Sequence, residues 1–378
     1  MRMLEDVKIS SRQLTIMTIL YILGSAILIM PGPLATVAKR DAWIAAILSM
    51  MIGMLGIKLI HALGRRFPKL TLMAYTELLL GKWLGKVVIL VFILAFPYLI
   101  ACLTLYNIGD FLTTQMMPET PIEAIYVVIM IVVVAGARLG LETMARSSEI
   151  FFPWVLLLFG ILVLFVVPNA KLDNILPVLE DGVKPVIRAA LPFAGFPFME
   201  GVITLMIYPM INRGEKNGKS LIIGMLIGGF ALIATTALCI LVLGADQTAR
   251  LTFPSYGLAK KISVGQFLER IEAVLAVIWM TTIVFRLTFL FYVSAVGIAH
   301  VFGLREYRFL LMPLAICNIV FALILVPNSA ASYEVIPVWG AYAPFFGILF
   351  PLFLLILAKF RKKSCSRMDT DGNTVETK

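Results

Sequence analysis

The chain has 378 residues, of which 61% are hydrophobic and 14% charged, with 32 Lys and Arg against 22 Asp and Glu. Its mean hydropathy of +0.98 means more apolar surface than a water-soluble domain of this length can hide, so lipid is the expected solvent. A net charge of +10 would suit nucleic acid in a soluble protein, but here the basic residues sit in short loops between apolar runs, where they set topology; no nucleic-acid partner is expected.

Runs long enough to cross about 30 Å of hydrocarbon as helix fall at 13–38, 41–63, 86–116, 122–138, 148–168, 188–211, 219–245, 269–302, 307–326 and 338–359, ten in all. They are continuous rather than alternating, which argues against a β-barrel. The first run is too long for a cleavable signal peptide and more spans follow it. Between the second and third spans, "RRFPKLTLMAYTELLLGKWLGK" (65–86) reads as an amphipathic helix along the inner face. Between the fifth and sixth, "NAKLDNILPVLEDGVKPVIRAA" (169–190) reads as an outer loop. The whole is one membrane domain, 1–363, followed by a disordered cytoplasmic tail, 364–378. With the N-terminus inside, 22 Lys and Arg fall on the cytoplasmic side and 9 outside, leaving Arg286 within the eighth span. The positive-inside rule therefore places both termini in the cytoplasm.

Ten spans divide into five plus five, and matched interruptions in the two halves of such a transporter point to a binding site. The first span carries "GSAILIMPGP" (24–33), and its counterpart, the sixth, carries "LPFAGFPFMEG" (191–201). An unwound segment exposes backbone groups that a ligand's carboxylate or ammonium can satisfy. Gly24, Ser25, Ala26 and Ile27 are accordingly expected to be unwound and to bind substrate, together with Phe193, Gly195, Phe196 and Glu200. A carboxylate at Glu200 would hold an ammonium group, take up a proton or cap the second half-helix. Isolated prolines elsewhere, such as Pro97, Pro153 and Pro313, read as packing kinks.

An ionised group near the bilayer centre costs about 2.5–3.5 kcal/mol, so Arg286, in "WMTTIVFRLTFLFY", needs a partner or a function. Thr281 and Thr282 beside it would coordinate a ligand or ion, or bond back to their own helix. Tyr98, Tyr106 and Asn107 on the third span are candidates for a pocket wall, and Asp110 lies near that span's outer end. His300, near the inner end of the eighth span, has no companion ligand. The four cysteines (Cys102, Cys239, Cys317 and Cys365) are too scattered for a disulfide framework or a metal cluster, and no cofactor is expected. "GEKNGKS" (214–220) has one residue too few for a phosphate-binding loop and joins two membrane helices, and no zinc-protease or nucleophile-elbow pattern occurs. Nothing points to catalytic residues or an enzyme.

The stretch "GSAILIMPGP" resembles the Gly-Ser-Gly-Ile…Pro signature of amino acid–polyamine–organocation permeases, with Ala26 in place of the second glycine. From "ISSRQL" (9–14) onward the chain is similar to the spore germination permeases, the B subunits of germinant receptors. "RDAWIA", "FPFMEG", "LTFPSYGLAKKISVGQFLERIEAVLAVIWM" (251–280) and "FGLREYRFLLMPL" carry the likeness. The resemblance implies a LeuT-like fold with helices one and six broken, residence in the inner membrane of a bacterial spore, A and C partner subunits, and recognition of a small germinant such as an amino acid. It also implies that the eighth helix faces the break in the first, where Arg286 would stand in for a sodium ion. Three functions follow: germinant sensing, proton-coupled amino acid symport through the same pocket, or assembly around a degenerate pocket.

Overall fold

The computed structural model describes residues 7–212, 217–261, 271–326 and 338–361. The expected tail, 364–378, and residues 214–216 of the "GEKNGKS" turn lie outside them. The chain enters its first helix, α1 (Ser11–Ile29), through a reciprocal cap: Ser10 Oγ accepts from the Gln13 amide at 3.1 Å while Gln13 Oε1 accepts from the Ser10 amide at 2.8 Å. This satisfies two amide donors that a helix start leaves over. Ile9 pairs with Met210 and Asn212 through backbone bonds of 2.8 and 2.9 Å, tying the N-terminus to the end of the sixth span.

After α1 come α2 (Pro31–Ala38), α3 (Ala42–Arg66), α4 (Leu72–Leu80), α5 (Lys82–Ile93) and α6 (Leu99–Phe111). A π-helical turn at Leu94–Tyr98, around Pro97, joins α5 to α6. Then follow α7 (Ile122–Val166), α8 (Val183–Phe193), α9 (Asn217–Leu243), α10 (Ala245–Arg250), α11 (Pro254–Lys260), α12 (Ile271–Phe302) and α13 (Leu311–Leu325), and a closing helical stretch, Val338–Phe360.

Among the described residues, nine helical stretches are long and apolar enough to cross a membrane. The expected fourth and fifth spans lie in the single run α7, where Gly140 at φ 85°, ψ 177° departs from helical geometry and separates two limbs. Only glycine takes that conformation without steric cost. The second limb leaves Ile150, Trp154 and Leu164 more than 60% exposed, a surface suited to acyl chains and not to water. The 65–86 stretch forms α4, begun by the Thr71 side chain capping the Ala74 amide, and then turns at Gly81 into α5.

α1 and α12 lie at the centre. α1 packs against α9 and α12, and α12 also packs against α7, α5 and α6. Apolar residues surround α1 and nearly all are buried, as expected of a helix enclosed on every side. One end of the bundle carries Ser11, Arg66 and Phe302; the other, the loop end, carries 39–41, 167–182 and 244–253. At the loop end, both carboxylate oxygens of Asp41 accept from the Leu179 amide at 3.0 and 3.1 Å, and Lys39 meets Asp181 at 2.9 Å. The 169–182 loop is thus fastened across the α2–α3 turn.

Candidate functional site

The first span does not unwind where the sequence pattern places its break. Gly24, Ser25, Ala26 and Ile27 lie inside the continuous helix α1, so their amides are spent on helical hydrogen bonds. The interruption comes at Met30–Pro31. Pro31 has no N–H to give the Ile27 carbonyl one turn earlier, and that carbonyl instead accepts from Ser255 Oγ of α11 at 2.7 Å. A glycine costs a helix only about 1 kcal/mol, too little to open it against good packing. Gly24 serves another end. A Cβ there would lie 2.7 Å from Arg286 Cδ and 3.0 Å from its Cβ, so the missing side chain is the notch through which the arginine stem passes.

In the sixth span, α8 passes into a π-helical turn, Ala194–Phe198, in which Phe196 leaves helical geometry at φ −109°, ψ 118°. It precedes Pro197, whose ring disfavours the helical region for its predecessor. The chain resumes as a 3₁₀ stretch, Met199–Met206, with Glu200 in its first turn, where a negative charge is favoured.

Here the residues converge. Arg286 Nη2 donates to Glu200 Oε2 at 2.7 Å, and the Tyr21 hydroxyl donates to the same oxygen at 2.6 Å. Arg286 Nη1 reaches the Tyr21 carbonyl at 3.2 Å. The guanidinium lies 4.5 Å from the Tyr21 ring centre and 5.2 Å from that of Phe196, within cation–π range. The two charged side chains are 1% and 0% exposed. At this depth neither ion would be tolerated alone, and each supplies the other's counter-charge. The pairing is incomplete: among the described residues Glu200 Oε1, Arg286 Nε and Ser25 Oγ have no hydrogen-bond partner.

A cavity of about 120 Å³ opens from this cluster toward the loop end, lined among others by Ser25, Asn107, Phe193, Phe196, Glu200 and Arg286. It is close in size to the roughly 150 Å³ space that admits a benzene ring in an engineered core, so a small solute fits. A second cavity of about 40 Å³ lies on the other side, lined by Tyr21, Phe198, Glu200 and Thr204.

Of the predicted site residues, Ser25, Phe193, Phe196, Glu200 and Arg286 are brought together around the larger cavity. Ala26 and Ile27 are fully buried away from it. Gly195 faces the closing helix, where an added Cβ would meet Ala343 Cβ at 2.7 Å. Thr281 bonds back to the Val277 carbonyl at 2.8 Å, and Thr282 to the carbonyls of Ile278 and Trp279 at 3.0 Å; neither lines the cavity. Tyr106, Asn107 and Asp110 do line it, whereas Tyr98 instead donates to the Leu314 carbonyl at 2.9 Å. His300 pairs with Glu77 at 3.3 Å. Among the described residues no group of three or more His, Cys, Asp or Glu is placed to hold a metal ion.

The spore germination protein family matches residues 8–330. The chain belongs to that family. It is 31% identical to spore germination protein KB of Bacillus subtilis (strain 168) over 367 residues, 95% of this chain and 97% of that protein. Spore germination protein YndE of the same organism is 25% identical over 366 residues, 94% of this chain and 98% of its own length. Among solved structures, Mhp1, a nucleobase-cation-symport-1 family transporter in a closed conformation with bromovinylhydantoin bound, superposes with a TM-score of 0.62 at 11% identity, covering 94% of each chain. A mutant manganese transporter of Eremococcus coleocola gives a TM-score of 0.54 at 11% identity, covering 92% of this chain and 77% of its own. These likenesses establish a LeuT-type transporter fold, and with nine span-length apolar stretches among the described residues the family member is an integral membrane protein.

Among the contributors to the site that escape sequence reasoning are Tyr21, Trp339, Thr252 and Phe253. Tyr21 carried a usable signal, since it sits three residues before Gly24 and so shares its helix face. Trp339 comes from the closing helix and Thr252–Phe253 from the stretch between α10 and α11, and no local pattern links either to the cavity.

Proposed function

We propose that this protein is the germinant-sensing membrane subunit of a spore germinant receptor, a single transmembrane domain over 1–363 that binds a small amino acid or similar nutrient. The cavity between α1, α6, the sixth span and α12, closed at its base by Glu200 and Arg286, carries this reading. It is buried, small, mostly apolar and provided with a few convergent polar groups, as a small-molecule site requires. The resemblance to germinant-receptor B subunits adds A and C partner subunits that read the shift between conformations. It also adds the inner membrane of the spore, and the distribution of positive charge supports cytoplasmic termini. Transporters as structural neighbours favour a binding protein over an enzyme. The test is germination by spores carrying Ser25→Trp, which fills the cavity. The response to nutrient is expected to be lost while the protein still inserts, and a full response would refute the assignment.

A second reading, proton-coupled amino acid symport, is favoured by one observation: a carboxylate buried at the cavity base, Glu200, with one oxygen unpartnered. Accumulation of labelled alanine by proteoliposomes holding the chain alone would decide for symport, and binding without accumulation for sensing.

A further inference from the structure

The two cavities on either side of the cluster share one lining residue, Glu200. Arg286 lines only the larger and Tyr21 only the smaller, so the bonds converging on Glu200 Oε2 at 2.6 and 2.7 Å form the wall between them. Moving that carboxylate aside removes the one side chain that lines both cavities, but on its own the move strands two buried ions. The backbone offers no relief, because the amides of residues 24–28 are committed within α1. Among the described residues, the unpartnered groups at the pair that can meet a charged solute are Glu200 Oε1, Arg286 Nε and Ser25 Oγ, and Trp339 Nε1 is unpartnered on the wall of the larger cavity.

We propose that the ligand is a zwitterion that inserts itself into the Arg286–Glu200 pair, its carboxylate taking the guanidinium and its ammonium taking the carboxylate, and so parts the wall between the cavities. The inference rests on the nutrient-binding reading of the larger cavity. A zwitterion gives both ions a new partner at once, so no charge is left uncompensated during the exchange. A solute with one charge replaces only one partner and strands the other. An uncharged solute replaces neither and leaves the wall shut. Arg286 and Glu200 are thus the specificity-determining residues for adjacent opposite charges. The apolar flank of Phe193, Phe196 and Ile29 limits the rest of the molecule.

The test uses the full chain in lipid nanodiscs with L-alanine, L-alaninamide, propionate and glucose as probes, read by thermal shift. L-alanine alone is expected to bind. The doubly neutral variant Glu200→Gln/Arg286→Gln, which keeps hydrogen-bonding groups and leaves no lone charge, is expected to weaken alanine binding by about 10–100-fold, the worth of one charged hydrogen bond. A second measurement follows the wall itself: Thr204→Cys in a cysteine-free background reports on the smaller cavity through its rate of reaction with methyl methanethiosulfonate. That rate is expected to rise with alanine and to be already high, and unresponsive to alanine, in the doubly neutral variant. Binding of glucose, propionate or alaninamide that Ser25→Trp abolishes would overturn the exchange while leaving the nutrient-binding reading intact. Alanine binding unchanged in the doubly neutral variant would do the same. Binding by none of the four would overturn both.

Discussion

In the first span the glycine, Gly24, precedes the proline, Pro31, by seven residues; in the sixth, Gly195 and Pro197 are two apart. Both prolines follow a residue whose helical conformation they disfavour. Met30 nevertheless stays helical at φ −58°, ψ −41°, whereas Phe196 swings out to φ −109°, ψ 118°. The first span keeps its course because Met30 still donates to the Ala26 carbonyl at 2.9 Å and Ser255 satisfies the carbonyl that Pro31 abandons. In the sixth span the chain leaves the helix, bringing the Phe196 ring to the guanidinium and Glu200 to the start of the next helical stretch. One span presents side chains from an intact helix; the other builds its part of the site from a broken one. In the first span another donor takes over the bond that Pro31 gives up, and Gly24 marks a place of close approach.

The sharpest way to break this comparison is at the ion pair where the spans meet. Glu200→Ala or Arg286→Ala alone is expected to cost about 3–5 kcal/mol, because each strands the other's charge in the interior. Glu200→Gln with Arg286→Met should lie far closer to the parent chain, and thermal unfolding in detergent reads the difference. Next comes the notch. Gly24→Ala is expected to cost about 1–3 kcal/mol by overpacking against the arginine stem. That cost should shrink in an Arg286→Ala background when a double-mutant cycle is measured. If Gly24 acted by unwinding its helix, the cost would not depend on Arg286.

Smaller effects sharpen the account of the proline. Ser255→Ala should lose about 1 kcal/mol by orphaning the Ile27 carbonyl, and Pro31→Ala in the same chain should recover part of it by returning an amide donor to that carbonyl. Least affected should be Thr281→Val. Its hydroxyl only bonds back along α12, so stability should stay within about 0.5 kcal/mol and nutrient response should be unchanged.

Much of the site was legible beforehand. Glu200 and Arg286 stood out because ionised side chains are costly in apolar runs, and Phe196 because it precedes a proline in a glycine-rich cluster. Tyr21 and Trp339 did not, since aromatic residues in membrane helices are ordinarily packing, and only the place of Tyr21 on the face of Gly24 could have marked it. Spans four and five were read as separate helices, and the departure from helical geometry at Gly140 divides that run into two limbs accordingly.

By itself the sequence determined the solvent, the helical class and the approximate spans, because a long apolar run in lipid has no other way to satisfy its backbone. It also marked the two charges that would have to find partners. That they find each other across 86 positions, that Tyr21 adds a second bond to the same carboxylate oxygen, and that Gly24 makes room for the arginine stem were decided only by the packing of α1, the sixth span and α12 against one another. Side chains from distant segments meet through the contacts of whole helices, and those contacts are set by tertiary geometry that no local stretch encodes.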